Sequence, residues 1–480
     1  MFQRGISGGG SIDVGISGGY SRIADSNVAN SGGLLPLSVD YADSTKSMAA
    51  KITSTYNTGY LIGESKLAAL SDTDDTDITG SGELVTNGDF ETGDLTGWTA
   101  TAGVTVNASN QVVLTTTSST DIHIRQQNIP VIVGKTYNVS LEVVSGGGSG
   151  KSLVRIGDSG NITRYVSGYV SNGIYNFQVT AVLNNLSIYL YNALNTTHTI
   201  IYDNISVKLA EEDRSKSRSL IVNGTITKTP VATGADLVAY SGFSTSNYLE
   251  QPYNSDLDFG TGDFCIMGWV KEAAGSDWLI DRMEGRDGSS NLWGFDIWQE
   301  AQSLRFDVYE NNGVTSVTST TAMGSDDGVW NFFTAVRRSG VLEMYMHGKL
   351  AGTTSGTARN ISYTSTGNPP PLTIGAKNTG ASAWLNGSAA LIRISATAPT
   401  AEQIAKIYED EKFLFQENSQ ATLYGSSDSV TALAYDDDTE LLHVGTSAGR
   451  SVFNGLRRVD NTTGAVDVAI SASNNFIVEE

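Results

Sequence analysis

The chain has 480 residues, among them 52 Gly, 8 Pro and 1 Cys, and its 51 Asp and Glu outnumber 30 Lys and Arg, for a formal net charge of −21. This charge repels nucleic acid and anionic membranes, so neither is expected as a partner. No apolar run is long enough to span a bilayer, so we expect no membrane insertion. The lone Cys265 excludes an intrachain disulfide and a Cys-rich zinc site, and we expect it to be buried as a small apolar residue.

Abundant Gly, Ser, Thr and Asn with few Pro predict frequent turns and few long helices. We therefore expect an all-β chain with two antiparallel β-sandwich (jelly-roll) domains. The predicted sandwiches are residues 83–210 and 211–416. Residues 1–82 are predicted to be an irregular N-terminal arm, and residues 417–480 a C-terminal β-blade-like segment.

The N-terminal arm shows no convincing hydrophobic core. GISGG at residues 5–9 recurs at residues 15–19, and a weak helical pattern runs from 44 to 70. Such a segment is either disordered or ordered by docking on another protein, and the apolar stretches at 34–37 and 60–62 favour docking. The first ten residues lack the apolar core of a signal peptide, so we do not expect export by the general secretory route.

The next segment opens with VTNGDFETG at residues 85–93 and Gly97-Trp98, and it closes with IIYDNISV at residues 200–207. Between them, alternating apolar residues predict several strands. The paired opening and closing motifs resemble carbohydrate-binding modules of the family four/nine type. That resemblance implies a galactose-binding-like jelly roll.

The resemblance also implies that the first and last strands lie together and that a structural calcium commonly ties them. Calcium prefers oxygen ligands such as carboxylates and carbonyls. By position, Glu91 and Asp203 are the candidate side-chain ligands, with Asn87 nearby. The alternative is that Glu91 only caps the turn and Asp203 is solvated.

Four tyrosines of this segment are candidate glycan contacts. Tyr189 and Tyr191 share the face opposite the apolar residues at 186, 188 and 190, and Tyr165 and Tyr169 lie on a neighbouring loop or strand. Saccharide sites use flat aromatic faces with polar partners around them. The alternative is that these tyrosines are ordinary strand residues that pack against the next domain or a second subunit.

The third segment contains a clear β-meander. Trp330, Phe332, Thr334 and Val336 alternate on one face, and residues 338–340 form a hairpin connection to the next strand. Together with LTIG at 372–375 and GSAALIRI at 387–394, this meander resembles a laminin-G/concanavalin A-like jelly roll. A capping box at residues 400–403 predicts a terminal helix.

Concanavalin A-like folds include glycosidases, and those of the laminarinase type carry a Glu-x-Asp-x-x-Glu strand that supplies two carboxylates. The nearest match is WGFDIWQE at residues 293–300. Asp296 fits the central acid, but Gly294 takes the first position, and Trp298 and Gln299 the later ones. The four histidines show no zinc spacing, so we expect no enzymatic activity. Trp298 is instead a candidate glycan contact.

From residue 419 on, short apolar runs at 421–425, 430–435, 441–445 and 451–453 predict successive strands, with a turn at 436–439. The pattern resembles one blade of a β-propeller, and a single blade cannot close a ring. Either several copies meet at a symmetry axis or the segment completes a partner's sheet. We favour assembly, with a homotrimer as the expected state.

The order of these modules resembles the appendage proteins of tailed bacteriophages, particularly tail fibre or receptor-binding subunits. The resemblance implies a virion protein that contacts host-surface glycans by multivalent, non-catalytic binding and that partners other tail proteins. It also implies synthesis in the host cytoplasm and release by lysis, which fits the missing signal peptide. The alternatives are a virion decoration or connector protein that binds other phage proteins, and a bacterial carbohydrate-binding adhesin.

Overall fold

The computed structural model describes residues 37–38 and, from 48 to 479, all residues except 51, 58, 69–72, 118–121, 195, 214–218, 273–276, 285–291, 324–327, 356–358, 364–368, 378–382, 428 and 437. The Gly-rich repeats at 5–19 and most of the apolar stretch at 34–37 lie outside this part of the chain. The described residues within Thr79–Glu212 and Ser217–Asn223 form a smaller compact unit, and the others form a larger one.

Short strands begin the described chain. They are β1 (Leu37–Ser38), β2 (Met48–Ala49), β3 (Leu61–Ile62), β4 (Ser65–Ala68) and β5 (Ile78–Thr79). The first three form a small antiparallel sheet in the order β1-β2-β3.

The smaller unit is a β-sandwich. Its strands are β6 (Thr99–Ala100), β7 (Val104–Val106), β8 (Val112–Thr116), β9 (Ile122–Pro130), β10 (Thr136–Ser145), β11 (Ser152–Gly157), β12 (Val166–Val170), β13 (Gly173–Thr180), β14 (Asn185–Asn192), β15 (His198–Glu212) and β16 (Ser219–Asn223). One sheet has the order β12-β11-β14-β9-β6, and the other contains β13-β10-β15 with β8 and β7. Alternate residues of both sheets, such as Ile124, Val139 and Ile188, form one buried core.

The larger unit contains the second sandwich. Its strands are β17 (Thr225–Pro230), β18 (Val238–Ser241), β19 (Tyr248–Gln251), β20 (Phe264–Glu272), β21 (Trp278–Glu284), β22 (Trp293–Glu300), β23 (Ser303–Glu310), β24 (Gly313–Thr318), β25 (Asn331–Arg338), β26 (Val341–Met346), β27 (Lys349–Thr354), β28 (Leu372–Ile374) and β29 (Gly387–Ser395). One sheet runs β19-β28-β21-β22-β23-β24, and the other β27-β26-β25-β20-β29-β18-β17. A 3₁₀ turn at Ser255–Leu257 follows β19. The all-β sandwich fold is therefore confirmed.

The predicted hairpin and helix of this unit are also confirmed. Ser339 and Gly340 both have positive φ, at 49° and 82°, as a two-residue turn between twisted strands requires. Helix α1 (Ala401–Glu411) begins with a capping box between Thr400 and Gln403. A 3₁₀ turn at Lys412–Phe415 continues the helix. Cys265 is fully buried in β20, as expected.

The C-terminal segment forms a four-stranded antiparallel sheet and a hairpin. Its strands are β30 (Val430–Asp436), β31 (Leu441–Thr446), β32 (Gly449–Asn454), β33 (Arg457–Asn461), β34 (Ile470–Ser473) and β35 (Phe476–Glu479). The sheet order β30-β31-β32-β33 matches a single blade. Its fourth strand is β33 and not the predicted run at 421–425. Residues 421–425 form no strand of this sheet, and Ala421 and Leu423 are instead buried in the core.

The described part of the predicted arm packs on its own chain. β4 pairs with β29, and Met48, Ile52 and Ile62 lie in the core cluster that contains Trp269 of β20. Here the structure differs from the expectation of an arm without a core, because the apolar residues at 60–62, one of the two stretches that suggested docking on another protein, are buried in the larger unit. The C-terminal sheet contributes to the same core through Val444 and Phe453. Within the described residues, no helix has the length and apolar character needed to cross a membrane.

Candidate functional site

The candidate site lies on the outer face of the sheet β12-β11-β14-β9-β6. Strand alternation turns Leu186, Ile188 and Leu190 of β14 into the core, where they are fully buried. Tyr189 and Tyr191 therefore point to the opposite face. Their rings are nearly parallel, with centroids 6.2 Å apart and an angle of 10° between the planes. The sequence-based prediction that these two tyrosines share a face is confirmed.

Two arginines flank these tyrosines from the neighbouring strands. Arg125 of β9 and Arg155 of β11 are both the cross-strand partners of Tyr189. The guanidinium of Arg125 lies 5.7 Å from the ring centroid of Tyr189, and that of Arg155 lies 5.0 Å from the ring centroid of Tyr191. These are distances at which a cation and an aromatic face attract each other.

Two further side chains complete this layer. The side-chain amide of Gln127 donates a hydrogen bond of 2.6 Å to the hydroxyl of Tyr189, and the His123 ring packs at 5.1 Å against Tyr191. We call the set of Arg125, Arg155, Tyr189, Tyr191, His123 and Gln127 the arginine–tyrosine face.

The tyrosines of this face are not open to solvent, although a residue that contacts a glycan directly has to be. Only 5% of Tyr189 and 9% of Tyr191 is exposed. The arginine, histidine and glutamine side chains cover them. The open aromatic residue beside them is Tyr169 of β12, which is 53% exposed and shares a cross-strand row with Leu153 and Tyr191. A ligand on this face would therefore meet arginine and Tyr169 first.

Sequence reasoning missed both arginines. The signal was available, because Arg125 and Arg155 occupy outward positions of alternating runs in β9 and β11. What the sequence did not give was the register that places each of them directly beside Tyr189, since that depends on which strands become neighbours.

The third predicted tyrosine, Tyr165, is not part of the arginine–tyrosine face. Its hydroxyl accepts a hydrogen bond of 2.9 Å from the backbone N–H of Val182, and its ring packs against the core of the smaller unit. Both contacts hold the loop before β12 in place, which is a structural role.

Trp298 belongs to the larger unit and thus to a different face. Its ring stacks on Trp278 at 5.0 Å and 7°, and its indole N–H donates to Asp307 at 3.0 Å. The guanidinium of Arg305 lies over the same ring at 5.3 Å. This stacked pair is a second aromatic surface, on the sheet that contains β22. Trp269, in contrast, is a core residue.

Asp296 lies in the middle of a row of three carboxylates. Its cross-strand partners are Asp281 of β21 and Asp307 of β23, and all three are buried. The three carboxylates lie on the side of strands β21, β22 and β23 that is opposite the core residues Phe295 and Val308. Asp281 and Asp307 were not singled out from the sequence, because only strand register brings them beside Asp296.

The predicted calcium ligands lie around one hairpin. The side-chain amide of Asn110 donates to Glu91 at 2.8 Å, and that of Gln111 donates to Asp203 at 3.1 Å. The opening motif also contacts the last strand directly, because Gly88 accepts a hydrogen bond of 2.9 Å from the N–H of Ile205. Carboxylate and amide oxygens of this kind suit Ca²⁺.

Asn87 fits a calcium site less well. Its side-chain amide donates to the carbonyls of Asp94 and Thr96, and its oxygen accepts from the N–H of Thr92. The side chain therefore organises its own loop. Burial, with Glu142 and Asp89 nearby, raises the pKa of Asp203. In the described part of the chain, no group of three or more His, Cys, Asp and Glu side chains is arranged to hold a metal, and the calcium site stays a prediction.

Comparison with known families gives two matches. Residues 82–192, which include the arginine–tyrosine face, match the family described as "Carbohydrate binding domain". Residues 243–405 match the "Concanavalin A-like lectin/glucanases superfamily". The chain carries both domains. A comparison of the sequence with curated proteins gave no match.

Solved structures similar to this chain include the heptameric SAP-like pentraxin of Limulus polyphemus, with 12% identity over 31% of this chain and 70% of that one (TM-score 0.25). The CBM40 domain of the Ruminococcus gnavus IT-sialidase has 14% identity over 31% of this chain and 84% of that one (TM-score 0.27). Domain 4 of an extracellular arabinanase of Geobacillus stearothermophilus has 13% identity over 40% and 88%, respectively (TM-score 0.29).

Proposed function

We propose that this chain binds surface glycans without catalysis, as a tail fibre or spike subunit of a tailed phage. The observation that carries the glycan-binding part is the match of residues 82–192 to a carbohydrate-binding domain. The outer face of this domain carries aromatic and polar side chains in register. The phage part rests on the order of the modules along the sequence.

Binding on such a face is shallow, since its side chains come from the flat outer side of a sheet. A shallow sugar site is weak by itself, because the small contact area offsets little more than the entropy lost on association. We propose that a homotrimer presents several copies of the site at once, so that avidity replaces single-site affinity. The host-surface glycan and other tail proteins are the proposed partners, and the virion is the proposed location.

We further propose that bound glycan is not hydrolysed. In β22, the outward positions on either side of Asp296 are Gly294 and Trp298. Neither can supply a nucleophile or a general acid, and the neighbouring Asp281 and Asp307 are as fully buried as Asp296. This row therefore presents no pair of carboxylates to a glycosidic bond, as retaining hydrolysis requires. A reducing-sugar assay on every glycan that binds tests this, and release of new reducing ends would contradict it.

A glycan array probed with the full chain tests the binding proposal. Tyr169→Ala is expected to weaken binding several-fold, because an exposed aromatic side chain beside the face is removed without opening the core. Tyr435→Ala removes a similarly exposed tyrosine of the larger unit and serves as the matched control. Equal binding by both variants, or silence on the whole array, would contradict the proposal.

The virion part has its own test. Mass spectrometry of purified particles is expected to detect the chain in a multiple of three copies. Tight binding to purified tail or capsid proteins with no glycan binding would instead indicate a decoration or connector protein. Absence from particles would favour a bacterial adhesin.

A further inference from the structure

We infer that the arginine–tyrosine face selects acidic glycans, and that sugar carboxylates bind Arg125 and Arg155. The inference rests on the proposed function, because it names the ligand class of the same face. The shared chemistry is a pyranose ring that carries a carboxylate, as in uronic and sialic acids.

The first observation is the charge of the sheet. The five strands β6, β9, β11, β12 and β14 contain two arginines and one histidine but no Asp or Glu. The chain as a whole has 51 acidic and 30 basic residues. The other sheet of the same sandwich follows the acidic trend, with Glu142 in β10 and Asp203 in β15. The cationic face is therefore a local exception.

The second observation is that neither arginine has an acidic partner in the described part of the chain. Several other arginines of the described chain pair with carboxylates, for example Arg164 with Asp158 and Arg305 with Asp307. Arg125 and Arg155 form no such ion pair among the described residues, and the Nε–H of each is buried without an acceptor. Where the chain is described, the only side-chain hydrogen bond of either arginine is the long contact of 3.4 Å from Arg155 to the hydroxyl of Tyr191.

This arrangement holds each guanidinium near the face of a tyrosine ring and pairs neither of them with a described carboxylate. An arginine that is fixed before binding loses little side-chain entropy when it meets a ligand. Its planar fork matches a carboxylate in two parallel hydrogen bonds, and charge-assisted bonds of this kind are stronger than neutral ones. A neutral sugar would leave both positive charges unsatisfied.

The spacing of the two arginines suits an oligosaccharide. Arg125 and Arg155 lie on strands separated by β14, which places their backbones roughly 10 Å apart at the usual strand spacing. Tyr169 lies at the margin of the same face, where it is open to a sugar ring. A chain with acidic groups on separate residues can therefore contact each arginine in turn.

The test is calorimetric titration of the full chain with an oligogalacturonate and with its fully methyl-esterified form, which has the same backbone without charge. Sialyllactose and lactose form a second pair that separates a sialate from a uronate source. We expect at least one acidic ligand to bind roughly tenfold more tightly than its neutral counterpart, which corresponds to about 1.4 kcal/mol. The difference should shrink at high salt.

Variants assign the effect to the face. In the Arg125→Gln/Arg155→Gln double variant, the ratio of acidic to neutral affinity is expected to fall to about one. Lys208→Gln, which removes a charge from the other sheet of the sandwich, should leave the ratio unchanged. Arg155→Lys keeps the charge but removes the fork, and should give an intermediate ratio.

Equal binding of the acidic and neutral ligands would overturn the inference and leave the proposed function standing if that binding still depends on Tyr169. A preference that survives in the double variant would overturn the assignment to these arginines. Equal binding of a polyanion without sugar rings, such as polyglutamate, would show charge attraction without sugar selection and would overturn the inference. If no glycan binds at all, the proposed function itself fails.

Discussion

Replacement of Glu411 tests whether the N-terminal segment belongs to the larger unit or is free to dock on another protein. Glu411 ends helix α1, and its carboxylate is fully buried. It accepts hydrogen bonds from the indole N–H of Trp269 at 2.9 Å and the backbone N–H of Tyr60 at 3.0 Å. Arg393 approaches both oxygens, at 3.0 and 3.2 Å. One carboxylate thus joins the helix, two strands of a sheet and the N-terminal segment.

The size of the effect follows from these contacts. Glu411→Gln removes the charge that compensates the buried guanidinium of Arg393, and losing one partner of a buried ion pair costs about 3–5 kcal/mol. The substitution also replaces one carboxylate oxygen with an NH₂ group, which is itself a hydrogen-bond donor. Because N–H donors approach both oxygens of Glu411, this NH₂ group must face another donor, which is unfavourable. Glu409→Gln on the same helix breaks only an exposed pair with Lys412, for which about 0–1 kcal/mol is expected.

Urea unfolding of the full chain measures the difference, with tryptophan fluorescence as the probe, since six of the seven tryptophans lie in the larger unit. We expect Glu411→Gln to lower the midpoint of that unit by about 1 M or more, because unfolding slopes in urea are about 1–3 kcal/mol per M. Proteolysis near residue 60 should also become faster. Equal midpoints for Glu411→Gln and Glu409→Gln would refute the claim that this carboxylate anchors the segment.

Three further outcomes are expected. Calcium should raise the melting temperature of the smaller unit, and Asp203→Asn should abolish this response while stabilising the chelated protein. The physical reason is that burial raises the pKa of Asp203, so its ionised form is disfavoured in the folded state without a cation; no response to chelator in wild type would contradict the site. Burial, followed by the charge of Arg450, lowers the pKa of His443. The contribution of neutral His443 to the free energy of unfolding should therefore be fully present above pH 6.5, roughly the pKa of histidine in the unfolded chain, and be lost as the pH falls below that value. If His443→Gln left the pH profile of stability unchanged, that would argue against this. Burial raises the pKa of the Cys265 thiol to about 12. A thiol reagent should therefore label it only when the larger unit unfolds, and rapid labelling of native protein would contradict its burial.

The sequence predicted those parts of the fold that depend on neighbours along the chain. The hairpin at Ser339-Gly340 and the cap at Thr400 are local, because turn and helix-end geometry depend on residues a few positions apart. The alternation of residues 186–191 correctly separated the core side of β14 from its outer side. The N-terminal segment could not be placed in this way. Its apolar residues look the same in the sequence whether they dock on a partner or on their own chain.

In the candidate site, too, features set by neighbours along the chain could be predicted, and features set by strand pairing could not. Tyr189 and Tyr191 could be found because a period of two residues places them on one face. Arg125 and Arg155 precede them by 64 and 34 positions, respectively, counted from Tyr189. Their place beside Tyr189 depends on the pairing of β9, β11 and β14, and no local pattern specifies which strands become neighbours. Nor could the sequence show that these side chains cover the tyrosine rings.

The acidic surface of the chain and the cationic face of the smaller unit act over different distances. At physiological ionic strength the Debye length is about 8 Å, so the net charge of −21 neither attracts nor strongly repels a ligand until it is close. At contact, the partially covered Arg125 and Arg155 are screened much less, and their unpaired charges determine which ligand stays. A flexible polyanion without a sugar ring gains little there beyond the charge contact, because it has no ring to pack against the exposed Tyr169. An acidic glycan gains both the charge contact and the ring contact, and its selection therefore depends on short-range geometry and not on the overall field of the protein.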